Sequence, residues 1–147
     1  MPNVSPIHAE LKSLLHAKSL RATASRMTAL KVLHDAARPL SHAELMSVID
    51  KDGWDPATMY RVLSDLTEAN LLCRMDLGDH IWRFELRDAC RSIQDEHAHF
   101  LCTDCGQVTC LPEVELRTTN GSSLPASMIG AELHLRVTGR CSGCLSA

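Results

Sequence analysis

The sequence predicts an α+β protein of two domains, a helical N-terminal domain that ends in a β-hairpin and a smaller C-terminal α/β domain. Apolar residues recur at helical spacing through most of the first half of the chain. Polar and apolar residues instead alternate over short stretches of the second half, where two Cys-x-x-Cys pairs also stand. The 147 residues, 45% of them hydrophobic, suffice for one ordinary domain or two small ones.

Three helices are predicted before the first tight turn. Apolar spacing indicates a helix over residues 7–18 and a second over residues 25–36. The third follows Ser41 and extends to about residue 51. Ser41 and Glu44 have the spacing of a capping box, which satisfies two backbone donors at a helix N-terminus.

A fourth helix begins after a short break that contains a glycine. Asp55 is a good N-cap residue and is followed by a proline, which suits the first helical position. The apolar face of this helix leaves Thr58, Tyr60 and Arg61 on the other side. Two short strands at residues 71–74 and 81–86 then complete a winged helix-turn-helix, whose second helix enters the major groove of DNA.

A basic stretch supports the DNA-binding interpretation. Between Leu11 and His34 there is no acidic residue. The candidate phosphate contacts in this stretch are Lys18, Arg21 and Arg26. A solvated helix face is the alternative, and the net charge of −3 argues against binding polyanions over the whole surface.

The predicted domains are residues 1–87 and 97–147, joined by a hinge at residues 88–96. In the second domain, strands are expected at residues 97–101, 107–110 and 131–137, and a loop at 120–125. The small sheet has an apolar face with few elements to cover it. Homodimerisation through this domain would cover that face.

The four cysteines of the two Cys-x-x-Cys pairs indicate a structural zinc site. They are Cys102, Cys105, Cys141 and Cys144. Four thiolates form a closed tetrahedral site with no open position for catalysis. Unmetallated cysteines or a redox Cys-x-x-Cys are the alternatives.

A second group of ligand-type residues indicates a separate metal-sensing site. His97 and His99 fall on one face of a predicted strand. Further candidate ligands are Glu85, His80, His42 and Cys110. The alternative for Cys110 is a small buried residue, and the alternative for His42 is a solvated residue of the third helix. Cys73 and Cys90 are interpreted as packing residues.

Several motifs resemble the ferric uptake regulator family of metal-dependent repressors. They are LRATASR at 20–26, ATMYRVL at 57–63, WRFE at 82–85, HAHFLCTDCG at 97–106 and CSGC at 141–144. The resemblance implies a dimer, a four-cysteine zinc, and a regulatory ion that bridges the two domains and switches DNA binding. By position, Glu85, His97 and His99 match the regulatory ligands. Tyr60 and Arg61 match the DNA-contacting pair, with Arg21 as a further basic contact.

The sequence also departs from the family pattern. Pro39 stands where many members have a histidine, and Cys110 where a carboxylate is common. His134 matches a ligand of an additional metal site, for which Glu113 is a further candidate, and Ala98 removes a usual ligand of that site. Residues 112–125 give little support to the helix that usually follows the first cysteine pair.

The resulting hypothesis is a cytoplasmic, homodimeric, metal-responsive repressor that binds palindromic operators. Zinc is the favoured regulatory ion because a thiolate at Cys110 softens the site, with Fe²⁺ or Mn²⁺ as alternatives. Iron sensing, peroxide sensing and a thiol switch at Cys73, Cys90 or Cys110 stay open. Neither an enzyme, such as a zinc hydrolase or deaminase, nor a small-molecule substrate is expected. Neither a signal peptide nor a membrane span is apparent in the sequence.

Overall fold

The computed structural model describes residues 6–87, 98–111, 114–115, 117–119, 123–132 and 135–147. The chain divides into two compact units, residues 1–96 and 97–147. The predicted hinge at 88–96 lies outside the described residues, so the domain boundaries stay a prediction.

The four predicted helices are confirmed. They are α1 (Pro6–Ala17), α2 (Ala24–Ala36), α3 (His42–Ile49) and α4 (Pro56–Glu68), with a 3₁₀ turn (Asp50–Asp52) between α3 and α4. Ser41 and Glu44 form the predicted capping box at the start of α3. Asp55 caps α4, where its carboxylate accepts the backbone N–H of Thr58 at 2.8 Å. Among the described residues, no helix is long and apolar enough to cross a membrane.

The wing is a three-stranded antiparallel sheet. Its strands are β1 (Leu40–Ser41), β2 (Leu72–Asp76) and β3 (Trp82–Leu86), in the order β1-β3-β2. The β2–β3 hairpin confirms the predicted wing. Strand β1 was not predicted, since two residues are too few to show an alternating pattern.

The helices and the sheet of the first unit share one hydrophobic core. Leu15, Leu30, Leu63 and Phe84, from three helices and β3, are each at most 2% exposed. Fully burying a side chain of this kind contributes about 1.5–3 kcal/mol. Because α4 packs four buried residues into this core, its opposite face points to solvent and cannot rotate about the helix axis.

The second unit is built on a smaller sheet. It consists of β4 (His99–Cys102), β5 (Val108–Cys110) and β6 (Val137–Gly139), in the order β5-β4-β6. β4 pairs antiparallel with β5 and parallel with β6. A 3₁₀ turn (Ala126–Met128) precedes β6, and a short helix, α5 (Ser142–Leu145), follows it.

The strand predicted over residues 131–137 is wrong. The described residues before Val137 are irregular, and Leu135 is 53% exposed. The strand instead extends from Val137 to Gly139, where Gly139 pairs with Cys102. A glycine fits there because a Cβ would lie 3.2 Å from the ring of Phe100. The position of this strand is therefore determined by pairing with β4 and not by the alternation of apolar residues.

Candidate functional sites

Four thiols converge at one end of the second unit. The Sγ atoms of Cys102 and Cys144 are 3.8 Å apart, and those of Cys105 and Cys141 are 3.9 Å apart. All four sulfurs lie within 4.8 Å of one another. A zinc ion with Zn–S bonds of about 2.3 Å requires sulfurs about 3.8 Å apart at the corners of a tetrahedron. The donor set therefore fits a four-cysteine zinc ion in both chemistry and spacing.

The first cysteine pair sits on a tight turn between β4 and β5. The Cys102 carbonyl accepts the N–H of Gly106 at 3.0 Å, and the Cys102 N–H donates to the carbonyl of Gln107 at 3.0 Å. Gly106 adopts a φ of 71°, a left-handed conformation that glycine tolerates best. The turn folds Cys105 back toward Cys102, so both sulfurs face the same point.

The parallel pairing of β6 with β4 delivers the second cysteine pair. The Thr103 N–H donates to the carbonyl of Gly139 at 2.8 Å, which extends the pairing past the end of β4. Cys141 comes two residues later, and its backbone N–H donates to Cys102 Sγ at 3.3 Å. Cys144 is then placed by the single turn of α5.

The electrostatics of the four thiols favour a bound cation. Backbone N–H groups of Cys105 and Cys141 donate to the Cys102 sulfur and lower the pKa of that thiol to about 6. The side chains of Cys141 and Cys105, followed by burial, raise the pKa of Cys144 to about 12. One thiolate forms readily, but the last resists ionisation beside its neighbours. A divalent cation would compensate this charge and allow all four to ionise.

An arginine joins the two cysteine pairs from outside. Arg140 Nε donates to Asp104 Oδ2 at 2.5 Å, and the same guanidinium donates to the carbonyl of Cys144 at 3.1 Å. Asp104 lies within the first cysteine pair and Arg140 immediately precedes the second. This link was not predicted from the sequence, although the charged residues directly before Cys105 and Cys141 are a signal that could have suggested it.

Two of the predicted regulatory ligands form a cross-strand pair within the second unit. His99 of β4 lies directly opposite Cys110 of β5, and both residues are half-buried. Side chains at such positions share one face of a sheet, with Cβ atoms about 4.5–5.5 Å apart. The imidazole and the thiol are therefore close enough to bind one ion.

The remaining predicted ligands are placed as follows. Glu85 is buried on β3 of the first unit, opposite Cys73. His80 lies at the tip of the wing with its side chain 94% exposed. His42 is the first residue of α3, and its Nε2 lies 2.9 Å from the carbonyl oxygen of Pro56. The other predicted ligands lie outside the described residues, as does one of the two cysteines interpreted as packing residues: His97, Glu113, His134 and Cys90.

The polar face of α4 carries the predicted DNA contacts. Tyr60 is 45% exposed, and Arg61 is exposed with its Nε donating to the carbonyl of Ala57 at 3.3 Å. The Thr58 hydroxyl donates to the capping carboxylate of Asp55 at 3.0 Å. Thr58 is thus engaged in the helix cap, whereas the polar ends of Tyr60 and Arg61 face the surface.

The basic residues before α4 divide into two kinds. Lys18 and Arg21 are exposed, as phosphate contacts would be. Arg26 instead forms an ion pair with Asp65 at 3.3 Å and donates to the carbonyl of Arg21 at 3.2 Å. Its side chain is only 19% exposed. Arg26 therefore ties α2 to α4, a role that the count of basic residues did not predict.

Comparison with known proteins agrees with these features. The sequence model of the ferric uptake regulator family matches residues 17–125. The chain is 30% identical over 101 residues to the ferric uptake regulation protein of Bacillus subtilis, covering 67% of this chain and 66%, just under two thirds, of that protein. It is 31% identical over 106 residues to the namesake from Cupriavidus metallidurans, covering 70% and 68% of the two chains.

The fold is also shared with solved structures. The structure of the Vibrio cholerae ferric uptake regulator superposes with a TM-score of 0.62 at 25% identity, covering 88% of this chain and 98% of the other. The motifs of the recognition helix, the wing and the first cysteine pair lie within the matched residues 17–125. The chain belongs to the ferric uptake regulator family.

Proposed function

We propose that this chain is a metal-responsive transcriptional repressor that binds DNA as a homodimer, with zinc as its regulatory ion. The observation that carries the choice of zinc is the placement of the Cys110 thiol directly opposite the His99 imidazole. Thiolate and imidazole together favour zinc over iron or manganese, which bind better to carboxylate and imidazole. The family membership supports the regulatory function itself.

The DNA-binding part of the proposal rests on α4 and the basic residues before it. Tyr60 and Arg61 project from the first two turns of a helix whose other face is buried. In a winged helix-turn-helix, those turns enter the major groove. Lys18 and Arg21 would add phosphate contacts that strengthen binding without reading sequence. Thr58 would contribute chiefly by ordering the start of the helix.

The regulatory part of the proposal assigns ligands from both units. The second unit would supply His97, His99 and Cys110, and the first would supply Glu85. Because the ligands come from both units, metal binding and the arrangement that binds DNA become thermodynamically linked. His80 would be a weaker candidate ligand, as would His134 and Glu113 for an additional site.

The homodimer would form through the second unit. Ile129, Leu135 and Leu145 are 74%, 53% and 64% exposed, so large apolar side chains of the second unit are in contact with water. Burial against a second copy would remove this surface from water, and a two-fold dimer would match a palindromic operator. A cytoplasmic location, where thiols stay reduced, fits cysteines that serve as metal ligands.

Metal-dependent DNA binding tests the proposal. The regulatory metal is removed from the protein while the four-cysteine zinc is retained. A DNA duplex that binds the protein is then selected from a random pool with Zn²⁺ present. Fluorescence anisotropy then measures affinity for this duplex with Zn²⁺, Fe²⁺ or Mn²⁺. Zinc is expected to raise the affinity for the duplex at a lower free ion concentration than Fe²⁺ or Mn²⁺. Affinity that is the same with and without each ion would refute the proposed function.

The role of Cys110 is tested with a matched pair of variants. Cys110→Ser is expected to shift the zinc response to higher free zinc, and Thr109→Ser, at the exposed neighbouring position on β5, serves as the control. A better response of wild-type protein to Fe²⁺ than to Zn²⁺ would favour iron sensing instead, and two relatives are named ferric uptake regulation proteins. An unchanged zinc response in Cys110→Ser would remove Cys110 from the ligand set.

A further inference from the structure

We infer that His42 is a positioning residue for the DNA-reading face of α4. It holds the first turn of the recognition helix and the ring of Tyr60 at the same time. The inference rests on the proposed function, because it assigns a role within the same DNA-contacting surface.

The first contact identifies Nε2 as a ring nitrogen that carries a hydrogen. His42 Nε2 lies 2.9 Å from the carbonyl oxygen of Pro56, the first residue of α4. A carbonyl oxygen only accepts hydrogen bonds, so Nε2 must carry the hydrogen and donate it. A nitrogen that donates in this way has no lone pair for a metal ion. Ligation through Nε2 would therefore break the contact between α3 and α4.

The second contact is made by the ring itself. The ring centroids of His42 and Tyr60 are 5.7 Å apart at an angle of 78°, an edge-to-face arrangement. This separation lies within the range in which aromatic pairs attract each other. Tyr60 follows Pro56 by four residues, so the two contacts fall one turn apart on the same face of α4. One side chain thus touches α4 at two points.

Two contacts one turn apart restrict both the helix and the tyrosine. The donated hydrogen bond limits movement of the helix start, and the ring contact limits the rotamers of Tyr60, which stays 45% exposed. Further along α4, the ion pair between Arg26 and Asp65 ties the helix to α2. A recognition side chain that is ordered before binding loses less entropy on contacting DNA.

The experiment compares three variants with a control. His42→Ala removes both contacts, His42→Gln keeps an N–H donor, and His42→Phe keeps an aromatic ring. His34→Ala replaces an exposed histidine at the end of α2. Tyr60 is the single tyrosine of the chain, so ¹³C-tyrosine labelling gives one set of ring signals in the full-length protein.

Three quantities are measured for each protein: the Tyr60 ring signals, affinity for the selected and a scrambled duplex, and bound regulatory metal. In His42→Ala the ring signals are expected to shift, and affinity for the selected duplex to fall about three- to tenfold, as for the loss of one hydrogen bond and an ordering contact. Metal content is expected to stay at the wild-type value. His42→Phe should keep Tyr60 signals closer to wild type than His42→Ala, and His34→Ala should match wild type in all three.

Either of two results overturns the inference. Loss of regulatory metal in His42→Ala with unchanged Tyr60 signals would make His42 a ligand. Unchanged Tyr60 signals with unchanged affinity would leave it without a positioning role. If wild-type protein selects no duplex, the proposed function fails, and the inference fails with it as a statement about DNA reading. The Tyr60 spectra would then still show whether the contact exists.

Discussion

Replacing Arg140 with methionine is expected to loosen the four-cysteine zinc site without removing any ligand. The variant loses the ion pair with Asp104 and the hydrogen bond to the carbonyl of Cys144. The two side chains of the ion pair are 53% and 40% exposed, so solvent screening limits that pair to about 0.2–1 kcal/mol. The hydrogen bond to Cys144 adds about 0.5–1.5 kcal/mol.

The combined loss is about 1–2 kcal/mol, which corresponds to roughly five- to thirtyfold faster zinc release or weaker zinc binding. Methionine preserves much of the side-chain length, so the packing of the aliphatic part changes little. Release is followed by transfer of zinc to a chromogenic chelator present in excess. The competing chelator also gives the equilibrium affinity, so rate and affinity are obtained from the same protein.

Matched variants separate this effect from a general loss of positive charge. Arg136→Met removes an exposed arginine four residues earlier and should release zinc at the wild-type rate. Arg140→Lys keeps the positive charge but not the planar guanidinium. Its rate of zinc release should lie between those of the wild type and Arg140→Met. The reasoning would be refuted if Arg140→Met released zinc at the wild-type rate. It would also be refuted if Arg136→Met accelerated zinc release as much as Arg140→Met.

Three further predictions concern ionisation, the ion pair on α4 and a helix cap. Zinc binding at pH 7.5 should release fewer than four protons, because the Cys102 thiol has a pKa of about 6 and is already ionised. The number of released protons should rise toward four below pH 6. Titration calorimetry in two buffers measures this number. Asp65→Ala should weaken DNA binding and lower the unfolding free energy by about 0.2–1 kcal/mol, because Arg26 loses its partner; stronger binding measured by anisotropy would instead make the released Arg26 a phosphate contact. Ser41→Ala should lower the unfolding free energy by about 1 kcal/mol in urea titration, because the N–H of Glu44 loses its acceptor.

Local signals predicted the four helices and the β2–β3 hairpin of the first unit because each signal acts within a few residues. Ser41 and Asp55 accept hydrogen bonds from residues three positions later, so the sequence alone fixes where α3 and α4 begin. The four cysteines were predictable for a different reason. Thiolates at this spacing have few uses in a reducing compartment besides metal binding.

Features that depend on distant parts of the chain were not predictable in the same way. β6 forms at Val137–Gly139 because those residues pair with β4, and no local pattern distinguishes them from residues 131–136. The ion pairs of Arg26 with Asp65 and of Arg140 with Asp104 join residues far apart in sequence. For each arginine, only the fold shows whether its charge meets a carboxylate or stays on the surface.

The described part of the second unit has a small hydrophobic core, which a zinc ion at the four cysteines would supplement. Among its described residues, Leu101, Cys102 and Val108 are the buried hydrophobic ones, and one of these is itself a proposed zinc ligand. A unit with so little apolar burial needs a further cross-link to stay folded. A zinc ion would supply it by joining the β4–β5 turn to the end of the chain.

The same strand connects the two proposed metal sites. β4 begins with His99, a proposed regulatory ligand, and ends with Cys102, a proposed ligand of the structural zinc. Three residues of extended chain separate these positions by only about 10 Å. Loss of the structural zinc would free the end of β4 and disturb the pairing of His99 with Cys110. A response to metal is therefore attributable to the regulatory ligands only in protein whose four-cysteine site stays filled throughout the titration.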